Sequence, residues 1–365
     1  MQEQCIPLSR RSVFRLGAQA AAVGVIGSVT PSRLFAAGGR AAVCIYLFGG
    51  NDSNNMLVPF DQYSSYAHAR GSMAISDGLL LPVTGAVSGR EFGFHPAMAE
   101  VADLFRSGTI GVVANVGRIS KAPANRDEAR SMFQALSAAD ESLRYAAGGF
   151  AAPAWAGDGD IVTGFPGGRG TSVVGPSVQR GRAQDRALEL GSEAARRLRT
   201  EFPETGIGQQ LKQIAGMLAG GVQGQTFLVP LSGFATPANQ LARHAVLLRQ
   251  LSEAMGAFYR STQEIGISSE VVTYTDTEYS RALVPNATGG TGRGWGGHHL
   301  VMGGSVMGGD VYGCFPVLEA GGPEDVTGTG VWLPAVSRQQ LTSAVAAWMG
   351  VPGADRTAAS LHFLA

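Results

Sequence analysis

The chain has 365 residues, with 28 basic and 28 acidic side chains, 45% hydrophobic residues and 52 glycines. The glycines follow no three-residue period, which excludes collagen, and the high apolar content with zero net charge excludes an intrinsically disordered chain. A neutral chain also lacks the basic surface that nucleic-acid binding requires, so we expect no nucleic-acid partner.

The first residues are typical of a twin-arginine export signal. Arg10 and Arg11 form the arginine pair, an uncharged stretch rich in alanine and glycine covers 16–29, and small residues at 36–38 offer a cleavage site. That stretch is too short and too weakly apolar to span a bilayer stably. We therefore expect 1–38 to be a signal peptide, and the mature protein to be periplasmic or secreted, without a membrane span.

Short apolar runs that are rich in β-branched and aromatic residues predict buried strands. They cover 41–48, 110–116, 226–231, 271–275 and 300–302. Spacings of three and four residues between apolar positions predict helices. These cover 96–106, 239–264 and 337–349, with Ser337 as an N-cap and Gly266 as a stop.

Alternating strands and helices favour an α/β fold with a doubly wound, mostly parallel sheet and helices on both faces. We expect 39–365 to form a single domain whose site lies at the carboxyl ends of the strands. Residues 148–191 have no sustained periodicity and are expected to form a long loop excursion at the pocket rim. A disulfide between Cys44 and Cys314 stays open as an alternative to the commoner buried thiol at Cys44.

Most short motifs have a structural interpretation. The G-x-G-x-x-G spelling at 292–297 follows a loop and leads into a strand, so it does not predict dinucleotide binding. His298 and His299 are neighbours on an extended segment and should point to opposite faces, which disfavours joint ligation of one ion. We expect His95 to cap or pack and His244 to be structural.

Asn51, Asp52 and Ser53 follow the first strand, where a carboxylate and a hydroxyl could serve as a metal ligand and a nucleophile. A lipase-like serine site would also need Asp-x-x-His near the C-terminus, which the chain does not have.

Several blocks are spread over nearly the whole chain. Besides the twin-arginine start, they read IYLFGGNDSNN at 45–55, FHPAM at 94–98, LSGF at 231–234 followed by NQ at 239–240, and HHLVMGG at 298–304 followed by YG at 312–313. In order and spacing they resemble the exported bacterial family catalogued as domain of unknown function 1501. That family is similar in fold to alkaline phosphatases and sulfatases, whose sheet carries a divalent metal site at its carboxyl edge. The resemblance implies hydrolysis of phosphate or sulfate esters.

The chain departs from the family pattern at the expected metal ligands. Ala235 and Pro237 replace an aspartate and a histidine of Ser-Gly-Tyr-Asp-Thr-His, and Gly292 and Arg293 replace the ligands of Asp-His-Gly. The block Thr277-Glu278-Tyr279-Ser280-Arg281 keeps its carboxylate and its arginine. Two carboxylates, Asp52 and Glu278, would hold only a weak, hydrated cation, so we expect no cofactor.

These departures indicate a catalytically degenerate protein that binds an anionic ligand or a partner protein without metal-dependent turnover. Asn51, Arg281 and Arg293 are the candidate anion-binding residues, and Asp52, Ser53 and Glu278 the residual catalytic ones.

Two alternatives stay open. One is a metal-dependent hydrolase of sulfate or phosphate esters with a rearranged site, whose divalent ion would be held by Asp52, Glu278, His298 or His299. The other is a structural partner of the family catalogued as domain of unknown function 1800, a role that only the resemblance suggests.

Overall fold

The computed structural model describes residues 39–138, 161–164, 171–174, 191–222, 224–351 and 361–364, the two four-residue segments by their backbone alone. The predicted signal peptide with Arg10 and Arg11, and most of the expected excursion over 148–191, lie outside these residues.

Most of the described strands belong to one sheet. The strands are β1 (Ala41–Phe48), β2 (Leu57–Pro59), β3 (Leu81–Thr84), β4 (Glu91–Phe94), β5 (Ile110–Gly117), β6 (Ile161–Gly164), β7 (Thr171–Val174), β8 (Thr226–Ser232), β9 (Val271–Asp276), β10 (Arg281–Pro285), β11 (Thr291–Arg293), β12 (Gly297–Met302), β13 (Val311–Tyr312) and β14 (Val336–Ser337). The large sheet has the order β13-β5-β12-β9-β1-β8-β6-β7, with β14 also beside β5. Strands β2, β4 and β3 form a small second sheet, and β10 pairs with β11.

The large sheet is mixed. Strand β1 runs parallel to β8 and β9, whereas β12 runs antiparallel to both β5 and β9. The chain enters β12 from the β10–β11 hairpin at the carboxyl edge of the sheet, so β12 must run back across it. The start of β12, with His298 and His299, therefore lies at the same edge as the carboxyl ends of β1, β5 and β9.

Helices pack on both faces of this sheet, and the fold is of the α/β class. The described α-helices with defined bounds are α1 (Ser53–Met56), α2 (Tyr63–Arg70), α3 (Ala99–Arg106), α4 (Arg126–Ala138), α5 (Gly206–Ala219), α6 (Gln240–Ile265) and α7 (Arg338–Trp348). On one face, Val43 and Ile45 of β1 share a core cluster with α3, α5 and α6. On the other, Cys44 and Tyr46 pack with α7. The uninterrupted apolar run of β1 follows from this burial on both sides.

The predicted elements are confirmed, with shifts at their ends. Strand β1 has the predicted bounds, and helix α7 begins after Ser337, whose side chain accepts a hydrogen bond in a capping box. Helix α6 ends at Gly266, which has a φ of 82°. Helix α3 begins three residues later than predicted, because a turn closed by the Met98 N–H to His95 carbonyl bond precedes it.

Two details differ from expectation or decide an open alternative. The excursion over 148–191 contains β6 and β7, and β6 extends the large sheet next to β8. The sequence did not predict these strands, because four residues are too few to show a periodicity. Cys44 is a buried thiol and is not bridged to Cys314.

Candidate functional site

The turn after β1 requires two glycines. Gly49 and Gly50 have φ values of 103° and 86°, in the left-handed region that other residues rarely adopt. A Cβ on Gly49 would lie 2.2 Å from the Ala235 backbone nitrogen, and one on Gly50 would lie 2.4 Å from the Tyr279 ring. The turn therefore brings the following residues into the interior, against the loops after β8 and β9.

Residues 51–55 form what we call the polar hub: five consecutive polar side chains that are all buried. Buried polar groups need hydrogen-bond partners, and here the partners come from distant elements. Hydrogen bonds join Asn51 to His244, Asp52 to Arg70 and Gln240, Ser53 to Ser280, Asn54 to Trp332, and Asn55 to Tyr66. The block that carries much of the family resemblance thus ties α2, α6 and two loops to the end of β1.

Asp52 is enclosed by two partners. Arg70, at the end of α2, donates from Nη2 to Oδ1, and Gln240, at the start of α6, donates from Nε2 to Oδ2. Arg70 is 0% exposed and Asp52 is 1% exposed. Since desolvation of a buried ion pair is costly, the additional bond from Gln240 contributes to holding the carboxylate in place. Both carboxylate oxygens are bound within the protein.

The surroundings of Asp52 do not fit a divalent cation. Such an ion needs free carboxylate oxygens and further ligands, whereas Asp52 faces a guanidinium group. Ala235, Pro237 and Gly292 are exposed and supply no ligand side chain. Among the described residues, no group of three or more His, Cys, Asp and Glu side chains is arranged to hold a metal ion.

Two histidines lie beside the polar hub. His244 Nε2 is 2.9 Å from Asn51 Oδ1, and the rings of His244 and His95 are 6.1 Å apart. His95 Nδ1 accepts the Ala97 N–H at 3.0 Å within the turn before α3, so His95 is buried in that turn and does not cap the helix. Burial lowers the pKa of each ring to about 4, so both are neutral at pH 7.

The residues that surround Asp52 and Asn51 are not among the predicted site residues, although Gln240 stands in one of the blocks that carry the resemblance. Gln240 and His244 stand four residues apart on α6, a spacing that places both on one helix face, and this signal was available. Arg70 had no comparable signal, because it lies at the end of a weakly amphipathic helix.

Ser53 is not arranged as a nucleophile. The residue is 1% exposed, and its hydroxyl lies 3.2 Å from the Ser280 hydroxyl. A serine nucleophile needs a general base within hydrogen-bond reach and access to substrate. The contact with another hydroxyl and the burial support a structural role for Ser53.

Glu278, just after β9, is half-buried. Its Oε2 accepts the Gly49 N–H at 3.1 Å and the Thr277 hydroxyl at 3.4 Å. Burial raises the pKa of Glu278 above its ordinary value, although these hydrogen bonds partly oppose the shift. Asp276, two residues earlier, is bound by Arg338 Nε at 2.8 Å.

The two candidate anion-binding arginines face different ways, although Arg281 of β10 pairs directly with Arg293 of β11. Arg281 is buried, and its Nε donates to the Thr291 hydroxyl at 3.2 Å while Nη2 donates to the Thr291 carbonyl. Arg293 is exposed; it stacks 4.9 Å above the Tyr279 ring and donates to the Ser137 carbonyl. Of this pair, only Arg293 is open to an external ligand.

A narrow cleft opens at the surface beside Arg293, and we call it the edge cleft. It is lined by Arg118, Phe133, Leu136, Ser137, Glu278, Tyr279, Gly294 and Trp295. The Trp295 ring stacks on Phe133 of α4 with centroids 6.0 Å apart, and its Nε1 donates to the Arg118 carbonyl at 2.8 Å. The lining of the edge cleft thus combines apolar side chains with Arg118 and Glu278, and Arg293 lies against two of its lining residues, Tyr279 and Ser137.

His298 and His299 have different neighbours, in line with alternation along β12. His298 Nδ1 accepts the Asn115 N–H at 3.1 Å, and its ring lies 4.2 Å from the Phe315 ring. The charge of Asp276 raises the pKa of His299, but burial lowers this pKa more strongly. Burial lowers the pKa of both, to about 3 for His298.

Comparison with known protein families, with characterised proteins and with solved structures finds no match for this chain. In the described part of the chain, no helix is both long enough and apolar enough to cross a membrane.

Proposed function

We propose that this protein is an exported, catalytically degenerate member of the family catalogued as domain of unknown function 1501, with a doubly wound, sulfatase-like fold. In this proposal it binds a small anionic ligand at the carboxyl edge of its sheet and does not turn it over with a metal. The proposal rests on one contrast. Both carboxylate oxygens of Asp52 are hydrogen-bonded within the protein, to Arg70 and Gln240, whereas Arg293 is exposed beside the edge cleft.

The charges around the edge cleft support an anion over a metal cation. Arg293 and Arg118 place two guanidinium groups at the cleft, and guanidinium groups bind sulfate, phosphate and carboxylate with directed hydrogen bonds. Glu278 opposes anion binding when it is ionised. Because its pKa is raised, anion affinity should increase as the pH falls and Glu278 takes up a proton.

The alternative of a metal-dependent hydrolase has less support. It would require Asp52 to release a fully buried guanidinium, and in the described part of the chain no three His, Cys, Asp or Glu side chains are grouped to hold an ion. Elemental analysis and an ester-hydrolysis assay on one sample test it. We expect no stoichiometric metal and no turnover, and bound zinc, manganese or calcium with turnover would contradict the proposal.

Anion binding is tested by thermal unfolding in sulfate or phosphate against chloride at equal ionic strength. A ligand that binds only the folded state raises the melting temperature. We expect sulfate or phosphate to raise Tm in the wild type, and Arg293→Ala to lose about half of that increase or more.

Arg249→Ala is the matched control, since Arg249 is an exposed arginine on α6. It should keep the full increase. An equal increase in wild type and Arg293→Ala would overturn the anion-binding role of Arg293.

A further inference from the structure

The contact between Asp52 and Arg70 joins the turn after β1 to the end of α2, and both side chains are out of solvent. Asp52 is one of the two carboxylates, with Glu278, that remain from the pattern of the resembled family, so its partner decides what kind of cation the carboxylate can hold. In the structure that partner is an arginine of the same chain.

Within this pair, Asp52 has a further hydrogen-bond partner, whereas two of the three guanidinium nitrogens of Arg70 have none in the described part of the chain. Asp52 receives a second hydrogen bond, from Gln240, whose own Oε1 accepts from the hydroxyls of Thr236 and Thr291. Arg70 Nε and Nη1 are buried and have no hydrogen-bond partner among the described residues. The carboxylate is therefore the principal partner of this buried guanidinium, and each charge depends on the other.

Resting on the proposed function, we propose that Arg70 is a built-in cation that takes the place beside Asp52 where a hydrolase of the resembled family would hold a divalent metal. The guanidinium compensates the buried carboxylate permanently and leaves no oxygen for an ion. Arg293, which stands where the family pattern has a metal ligand, does not do this, because it is exposed and lies against Tyr279 and Ser137.

The proposal predicts that removal of Arg70 opens a cation site that the wild type lacks. In Arg70→Ala, the Asp52 carboxylate is left buried without a counter-charge, so Tm should fall by about 10 °C. Millimolar Mn²⁺ or ethylguanidinium should restore part of that loss. Wild-type Tm should not respond to either cation or to EDTA.

Two further variants separate this effect from ordinary destabilisation. The double variant Asp52→Asn/Arg70→Ala has the same truncation at position 70 as Arg70→Ala but lacks the carboxylate. Its Tm should therefore respond to neither cation. Arg90→Ala removes an arginine from the partly exposed pair with Asp61 and should show a small loss of Tm and no rescue.

If Arg70→Ala does not fold, two other variants provide the test. Arg70→Met alone should also fail to fold, because Asp52 keeps its buried charge. Asp52→Asn/Arg70→Met should fold, because both charges are removed. Stoichiometric metal in the wild type that disappears in Asp52→Asn would overturn the proposal, as would an Arg70→Ala protein of wild-type Tm. These results are independent of the sulfate response of Arg293→Ala, so either proposal can fail alone.

Discussion

Asp325 is a buried carboxylate that fixes the loop before Trp332, the residue whose ring bonds to Asn54 of the polar hub. Its oxygens accept backbone N–H groups of Gly321, Thr327, Gly330 and Val331 at 2.8 to 3.0 Å. Burial raises the pKa of Asp325, but these hydrogen bonds outweigh burial, and the pKa lies below its ordinary value.

The Asp325→Asn substitution should lower the free energy of unfolding by about 2 kcal/mol at pH 7, because hydrogen bonds to a charged acceptor are lost. A carboxyl group with a lowered folded pKa contributes stability above its unfolded pKa, and the contribution disappears as the pH falls through the folded pKa. Urea unfolding should therefore show that the difference in free energy of unfolding between wild type and Asp325→Asn becomes smaller at acidic pH. The exposed Asp103→Asn is the control, and a difference that does not change with pH would contradict this account.

The polar hub is satisfied in a similar way, since each polar side chain over 51–55 has a specific hydrogen-bond partner. Sequence reasoning identified Asp52 and Ser53 as chemically interesting because of their place after β1, and this place is correct. It could not show that their polar atoms are already used inside the protein, because the partners are brought in by α2, α6 and the loop after β9.

At the scale of elements, the turn between β1 and α1 depends on two left-handed glycines. The dipeptide Gly49-Gly50 directly follows an apolar run in the sequence, and paired glycines at such a place are typical of a turn. The reason for two glycines is tertiary, because Ala235 and Tyr279 occupy the space that side chains would need.

Gly50→Ala should be strongly destabilising. The left-handed backbone costs an alanine about 1 kcal/mol or more, and the methyl group would also collide with the Tyr279 ring. Differential scanning calorimetry should show a clear loss of Tm. Gly78→Ala, where a Cβ meets nothing within 4 Å, should be close to neutral; equal Tm values for the two variants would be inconsistent with this explanation.

At the scale of the molecule, four histidines in the described part of the chain are buried and neutral at pH 7. Burial lowers the pKa of His95 and His244 to about 4, that of His298 to about 3, and that of His299 below its ordinary value. The unfolded chain binds these protons near pH 6.5, whereas the folded protein does not. The stability of these sites is therefore complete above about pH 6.5 and declines as the pH falls towards 4.

In His244→Asn, the free energy of unfolding should fall less steeply as the pH is lowered. The slope should be smaller than that of the wild type by up to about 1.4 kcal/mol for each pH unit below 6.5. Denaturant unfolding between pH 7 and 4.5 measures the slope for wild type, His244→Asn and the exposed control His68→Asn. The control should keep the wild-type slope. A His244→Asn slope that matches it as well would mean that His244 takes up its proton without unfolding.

The sequence by itself determined the local structure of this protein: the bounds of β1, the Ser337 cap, the Gly266 stop and the turn at Gly49. Each depends on hydrogen bonds and side-chain periodicity between near neighbours, which the residue order states directly. The tertiary structure decided the antiparallel direction of β12, the burial of Arg281 and the closing of Asp52 by Arg70 and Gln240. Gln240 lies 188 residues from Asp52 along the chain, so their contact follows from the path of the folded chain and not from any local pattern.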